Sequence, residues 1–288
     1  MSRVSMRRIF VWCMLLGAML ASCDRKRVVS EVDYSVEDVS DSVDEASSDS
    51  LLLFSEPESE EEDLPANADE LFDDFIFEFS RLRKFQASRV EFPLPLVEHG
   101  DTVWLAKEDW KHENLFAHYD YYTVFFNNEE QMELEKSTDL EHVDVEWIDM
   151  GKHKFKTFHF ERRKGEWMLV EESLQPLEES PLADFMDFYA RFVTDADFQL
   201  RSVADPLRYV TADPDDDFSM IEGTLDHEQW DAFKPQLPSG RLTNIRYGQT
   251  YDAPRRMILV KQGISNGLMD ILTFRKRGKD WKLVSYEN

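Results

Sequence analysis

The chain has 288 residues, 59 acidic side chains against 33 basic ones, and a formal net charge of −26. Such an excess of negative charge opposes nucleic acid and anionic lipid surfaces as partners. The length leaves room for more than one domain of ordinary size.

The first eight residues carry Arg3, Arg7 and Arg8, and an apolar run from Ile9 to Leu20 follows. A basic head and about a dozen apolar residues predict a secretory signal peptide over residues 1–22, since a membrane span takes roughly 20. The run closes Leu20-Ala21-Ser22-Cys23, which resembles the lipobox of bacterial lipoproteins. That resemblance implies cleavage before Cys23, acylation of Cys23, and a lipid anchor in the cell envelope. With the acidic Asp24 after the cysteine, the expected location is the outer rather than the inner membrane. Cys13 would leave with the signal peptide, so the mature chain holds no thiol for a disulfide and must rely on its core.

Residues 23–66 differ in composition from the remainder. Asp24 to Leu64 holds 15 acidic residues against Arg25, Lys26 and Arg27, with many serines between them. Such a segment buries too little apolar surface to offset its chain entropy and is expected to be a disordered tether. It would span on the order of 40 Å. Leu51-Leu52-Leu53-Phe54 reads as a transient apolar patch or a short docking motif. Removing Arg3, Arg7 and Arg8 takes −26 to −29; the tether carries −12 of that and the rest about −17.

The remainder states one pattern twice. FDDFIFEFSRLRKFQASRVEFPL begins at Phe72, and FMDFYARFVTDADFQLRSVADPL begins at Phe185, 113 positions later without a gap. Phe72, Asp74, Phe75, Phe79, Phe85, Gln86, Val90, Pro93 and Leu94 return as Phe185, Asp187, Phe188, Phe192, Phe198, Gln199, Val203, Pro206 and Leu207. This predicts an internal duplication with domains over 67–177 and 178–288.

Each copy is predicted to open with an amphipathic helix. Asn67 and Glu70 suit a capping box in the first. Ser180 suits the cap and Pro181 the first helical position in the second. Leu71, Phe72, Phe75, Phe79 and Leu82 match Leu182, Phe185, Phe188 and Phe192 as apolar stripes. Phe85-Gln86 and Phe198-Gln199 then lead into a short extended segment ending at the proline. Strands are predicted at Thr102–Leu105 and Tyr121–Phe126. A meander follows at Val143–Met150, Phe155–Arg162 and Trp167–Leu174. In the second copy the strands fall at Thr243–Tyr247, Met257–Gln262, Leu268–Lys276 and Trp281–Tyr286.

The expected fold class is α+β, with two tandem cone-like domains, each a helix packed on a curled antiparallel sheet. One long helix ahead of such a sheet resembles the nuclear transport factor 2-like cone. Together, the lipobox, the acidic tether and the twin F-x-D-F…F-Q…P-L copies resemble domain of unknown function family 4348, a group of uncharacterised bacterial lipoproteins. That family implies an architecture and no chemistry, and folds of this kind host both enzymes and binding modules.

The chemistry-bearing residues point to no metal or cofactor. His112, Glu113, His118 and Asp120 are the densest group of possible metal ligands, but their spacing fits no known site. His153 and His159 have the parity to share one strand face. Asp74 and Asp187 recur beside the apolar stripe and read as solvent-edge residues suited to a helix N-terminus. Asp213-Pro214-Asp215-Asp216-Asp217 reads as a solvated loop, lacking the spacing of a calcium loop. No phosphate-binding glycine loop, nucleophile elbow or catalytic cysteine is present. Trp110 and Trp230, with Phe79 and Phe192 behind them, are the candidate ligand-binding residues. The expected function is a non-enzymatic binding module for a small apolar ligand or an envelope protein. The alternatives are an envelope hydrolase or isomerase with an acid/base pair in one cone, and a structural spacer with filled cores.

Overall fold

The computed structural model describes residues 69–116, 120–251, 254–264 and 266–288, within the compact unit Glu61–Asn288. The signal peptide, Cys23, the acidic tether, Asn67 and His118 lie outside the described residues.

In chain order, α1 (Phe72–Arg81) and α2 (Arg83–Ser88) precede β1 (Leu94–Glu98), β2 (Asp101–Leu105) and β3 (Tyr121–Phe126). A 3₁₀ segment (Glu129–Lys136) leads to β4 (His142–Asp149), β5 (Lys154–Arg163) and β6 (Glu166–Pro176). The second half runs α3 (Ala183–Thr194), α4 (Ala196–Ser202), β7 (Val203–Asp213), β8 (Asp216–Leu225), α5 (His227–Phe233) and β9 (Arg241–Arg246). It ends with β10 (Arg256–Gly263), β11 (Met269–Arg277) and β12 (Asp280–Glu287).

The helix starts differ from the sequence expectation. The first helical residue of α1 is Phe72, and its cap position, Leu71, offers no side-chain bond. Asp69 fixes this end instead: its carboxylate accepts from the Arg89 guanidinium at 2.8 and 2.9 Å and from the Trp167 N–H at 3.0 Å. In the second half a 3₁₀ turn over Leu177–Glu179 delays the helix to Ala183, so Pro181 precedes it. Leu82 is extended and breaks the first helix from α2. Phe85-Gln86 and Phe198-Gln199 lie in α2 and α4, not in an extended segment. Their glutamines explain the turn. Gln86 Nε2 donates to the Phe79 carbonyl at 3.0 Å and Gln199 Nε2 to the Phe192 carbonyl at 2.8 Å, filling acceptors that a helix end leaves open.

The two sheets are built alike. One has the order β2-β1-β6-β5-β4-β9 and the other β8-β7-β12-β11-β10-β3. All neighbours are antiparallel except β1 with β6 and β7 with β12. Each central hairpin carries an irregularity at a matching place, between His159 and Phe160 and between Thr273 and Phe274. Bulges of this kind raise the twist and curl a sheet. Peptide bonds preceding Pro93 and Pro206 are both cis.

The halves exchange a strand. Although β3 comes from the first half of the chain, it pairs with β10 from Tyr121↔Gly263 to Phe126↔Ile258. Reciprocally, β9 pairs with β4 in the first sheet. Where the exchanged strands meet, Thr123 and Thr243 bond reciprocally. The Thr123 N–H donates to Thr243 Oγ1 at 2.7 Å and the Thr243 N–H to Thr123 Oγ1 at 3.0 Å; each hydroxyl donates to the other's carbonyl. Both residues are buried, so these bonds replace water that cannot reach them.

Two cores result. In the first, Phe72 and Phe75 of α1 meet Phe160 at 5.5 and 5.7 Å, and Phe72 meets Trp167 at 5.0 Å. Tyr122, Val124, Phe126, Ile258 and Val260 from the other sheet close it. In the second, Phe185 meets Phe274 at 5.2 Å and Trp281 at 5.1 Å, and Ile148 and Leu242 reach in from the first sheet. Burying each such side chain contributes roughly 1.5–3 kcal/mol before entropy is counted.

Candidate functional site

Alternation along β3 decides where a site can form. Tyr122 and its ladder partner Gln262 face α1, and Tyr121 faces the opposite side. Between the outer face of α1 and the end of this ladder lies a cleft of about 520 Å³. Phe77, Phe116 and Tyr122 form its aromatic wall, with ring centroids 5.3–5.8 Å apart at tilted or edge-on angles, an arrangement favoured by ring quadrupoles. Ile264 adds an apolar side, and Ser80, Asn114 and Gln262 add polar ones. The Ser80 hydroxyl donates to Asn114 Oδ1 at 3.1 Å and accepts from the Leu115 N–H at 2.9 Å. Arg81, at the rim, pairs with Glu78 at 2.9 Å.

Beside this wall sits a carboxyl in an unusual setting. Asp73 accepts a 2.6 Å hydrogen bond from the Tyr247 hydroxyl. Burial raises its pKa to about 6, the Tyr247 bond opposes the rise, and the Glu135 and Asp74 charges add to it. Burial also raises Glu135. Tyr122 and Tyr247 are driven up first by burial and then by the Asp73 charge, so both phenols stay protonated. At the aligned position in the second half stands Met186, fully buried. The fold therefore accepts an apolar side chain where the first half keeps an acid.

A second polar network lies on the face of the first sheet that Ile148 shares, opposite the face that packs on α1. His159 Nδ1 lies 2.8 Å from Asp144 and its Nε2 3.0 Å from Ser173 Oγ. Burial opposes the imidazolium, but the Asp144 bond and the Asp144 and Glu171 charges outweigh it and raise the His159 pKa. Arg246 joins Asp144 at 3.4 Å and the buried Glu146 at 3.3 Å, and Asn244 Nδ2 donates to Glu146 at 2.7 Å. Burial raises Glu146 against the pull of Arg246. None of these residues lines the aromatic cleft.

The residues singled out in the sequence lie elsewhere. Phe79 and Phe192 are fully buried core residues on the sheet-facing side of their helices. Trp230 is buried in α5, its indole N–H donating to Gln199 Oε1 at 3.1 Å. Trp110 packs on Phe92 at 6.1 Å, half-buried. None of the four lines the aromatic cleft. Asp74 and Asp187 are exposed, as expected. Asp213 and Asp216 sit at the β7–β8 hairpin, where Asp213 accepts the Asp215 N–H and Asp216 the Phe218 N–H. Among the described residues no group of three acidic, histidine or cysteine side chains could hold a metal. Glu113 instead pairs with Lys156 at 2.8 Å. The residues missed were Phe77, Tyr122, Tyr247 and Asp73. Only Asp73 left a signal: aligning the two copies sets it against Met186, an acid opposite a core residue.

A crystal structure of an NTF2-like protein from Bacteroides fragilis NCTC 9343 is similar to this chain at 46% identity. The match covers 77% of this chain and 97% of that one, with a TM-score of 0.73. No curated protein matches the sequence. Residues 53–288 match the family described as domain of unknown function (DUF4348), and by that match, joined to the NTF2-like architecture, the chain belongs to this family.

Proposed function

We propose that this protein is a lipid-anchored binding module of a bacterial envelope, held by Cys23 and spaced from an outer membrane by residues 23–66. Its cleft between α1 and the β3–β10 ladder takes a small, largely apolar ligand. The observation that carries this reading is the aromatic wall of Phe77, Phe116 and Tyr122 around about 520 Å³ of open space. A volume of that order suits a small organic molecule, and an apolar lining with few placed polar groups is the usual composition of such sites. The test is native mass spectrometry of the protein purified from a bacterial envelope. An adduct that disappears on denaturation, and is missing from Phe77→Arg, supports the reading; a clean apo mass in the wild type refutes it. Anchoring is tested separately: Cys23→Ser should release the chain from the membrane fraction.

One observation favours a second reading, in which the cleft carries acid–base chemistry. Asp73, with a pKa of about 6, is held by Tyr247 and lies near the cleft-lining Tyr122. A carboxyl poised near neutrality is suited to take or give a proton. Once a bound molecule is identified, comparing it before and after incubation with wild type and Asp73→Asn separates binding from turnover.

A further inference from the structure

The opposite side of the β3–β10 ladder bears a second cleft, of about 460 Å³. Tyr121 and Lys261 line it from the two strands, and Gln236 and Ser239 line it from the segment after α5. Lys261 is only 4% exposed. Its Nζ lies 3.1 Å from Asp270 Oδ2 and 4.8 Å from the Tyr121 ring centroid. Asp270 is equally buried, and its other oxygen accepts from the Tyr286 hydroxyl at 2.9 Å. The matching positions of the first sheet hold Trp147 and Lys156. That sheet therefore forms without a lysine at the Lys261 position.

A buried ion pair is weak support for stability, because apolar side chains of similar volume often serve as well. Its chemistry is more telling. An ammonium has three N–H donors. Asp270 accepts one, and the Tyr121 ring attracts the charge without offering a lone pair. Lys261 lines the cleft, and among the described residues its remaining N–H donors have no acceptor besides Asp270. Asp270 compensates the positive charge, and Asp120 adds a carboxylate to the lining. The acceptor that fits is therefore an uncharged oxygen and not an anion. Among the described residues the Gln236 and Ser239 side chains make no hydrogen bond, and between them they offer both donors and acceptors.

We infer that this second cleft binds a saccharide. Each sugar hydroxyl both donates and accepts, matching Gln236, Ser239 and the Lys261 ammonium, while the C–H face of the ring packs on Tyr121. This site is independent of the aromatic cleft proposed above, and either can fail without the other.

Saturation-transfer NMR on the purified full chain tests the inference, with methyl glycosides of glucose, galactose and N-acetylglucosamine as probes. At least one glycoside should show saturation of its ring protons. Lys261→Met should weaken its binding at least tenfold, and Gln236→Ala, at an exposed position, by several-fold. Phe77→Arg should leave it unchanged. Absence of saturation with all three glycosides overturns the inference, as does undiminished binding in a natively melting Lys261→Met. If that variant does not fold, undiminished binding in Gln236→Ala overturns it.

Discussion

Replacing Asp73 with Asn should make this protein more stable at alkaline pH and leave it unchanged in acid. Burial raises the Asp73 pKa from 3.8 to about 6. Below pH 3.8 the carboxyl is protonated in both folded and unfolded chains and costs nothing. Between 3.8 and 6 the folded chain binds the extra proton, so stability falls as pH rises through that window and stays lower above it. The full shift corresponds to about 3 kcal/mol at 1.36 kcal/mol per pH unit; since Asp73 is partly solvent-accessible, a penalty of about 1–3 kcal/mol is expected. Asparagine removes the charge and keeps an oxygen for the Tyr247 hydroxyl. At roughly 2–4 °C per kcal/mol for a domain of this size, Asp73→Asn should melt about 2–12 °C higher than wild type at pH 8. The difference should shrink to within about 2 °C at pH 4. Calorimetric melts of both proteins at pH 4, 6 and 8 decide the matter. A variant less stable at pH 8, or an offset that does not change with pH, would show that the buried Asp73 charge does not destabilise the fold.

Three further outcomes follow from the geometry. Gln86→Leu leaves the Phe79 carbonyl and the Glu113 N–H and carbonyl without their partners; urea titration should show a loss of about 2–4 kcal/mol, at about 1–3 kcal/mol for each buried group left unpaired, less local relaxation. Thr123→Val and Thr243→Val each break the same reciprocal set of bonds, so their costs should not add. A double-mutant cycle should return a coupling of about 0.5–3 kcal/mol, and simple additivity would contradict the shared site. Trp281 Nε1 donates to Asp184 at 2.9 Å, whereas among the described residues the buried Trp167 Nε1 has no hydrogen-bond partner. Trp281→Phe should therefore cost about 1 kcal/mol more than Trp167→Phe in equilibrium unfolding.

Much of the fold was legible because its signals are local. The aromatic stripes of α1 and α3 repeat at helical spacing, and strands such as β5 and β6 alternate outside their irregular points and are joined by a tight turn. There Lys164 and Gly165 both adopt positive φ, of 56° and 91°, as a two-residue hairpin turn demands. The internal repeat also placed both core tryptophans, Trp167 and Trp281, correctly in their strands.

Local pattern sets the class of each segment and the face it hides. Which neighbour each segment meets depends on contacts between residues far apart in the chain. Tyr121–Phe126 shows the difference. Six residues with apolar groups on both faces predict a strand covered on both sides. Nothing in that run says that its ladder partner is β10, more than 130 positions away in the chain, because strand pairing depends on how distant elements close around one another. The same exchange puts Tyr122 against α1 and Tyr121 against the far side, and so creates both clefts. Asp73 follows the same logic. Read alone it is an acidic residue in the first turn of a helix, where the helix dipole favours its charge. Only the arrival of Tyr247, from a segment 174 positions away, buries it and turns it into a carboxyl poised near neutrality.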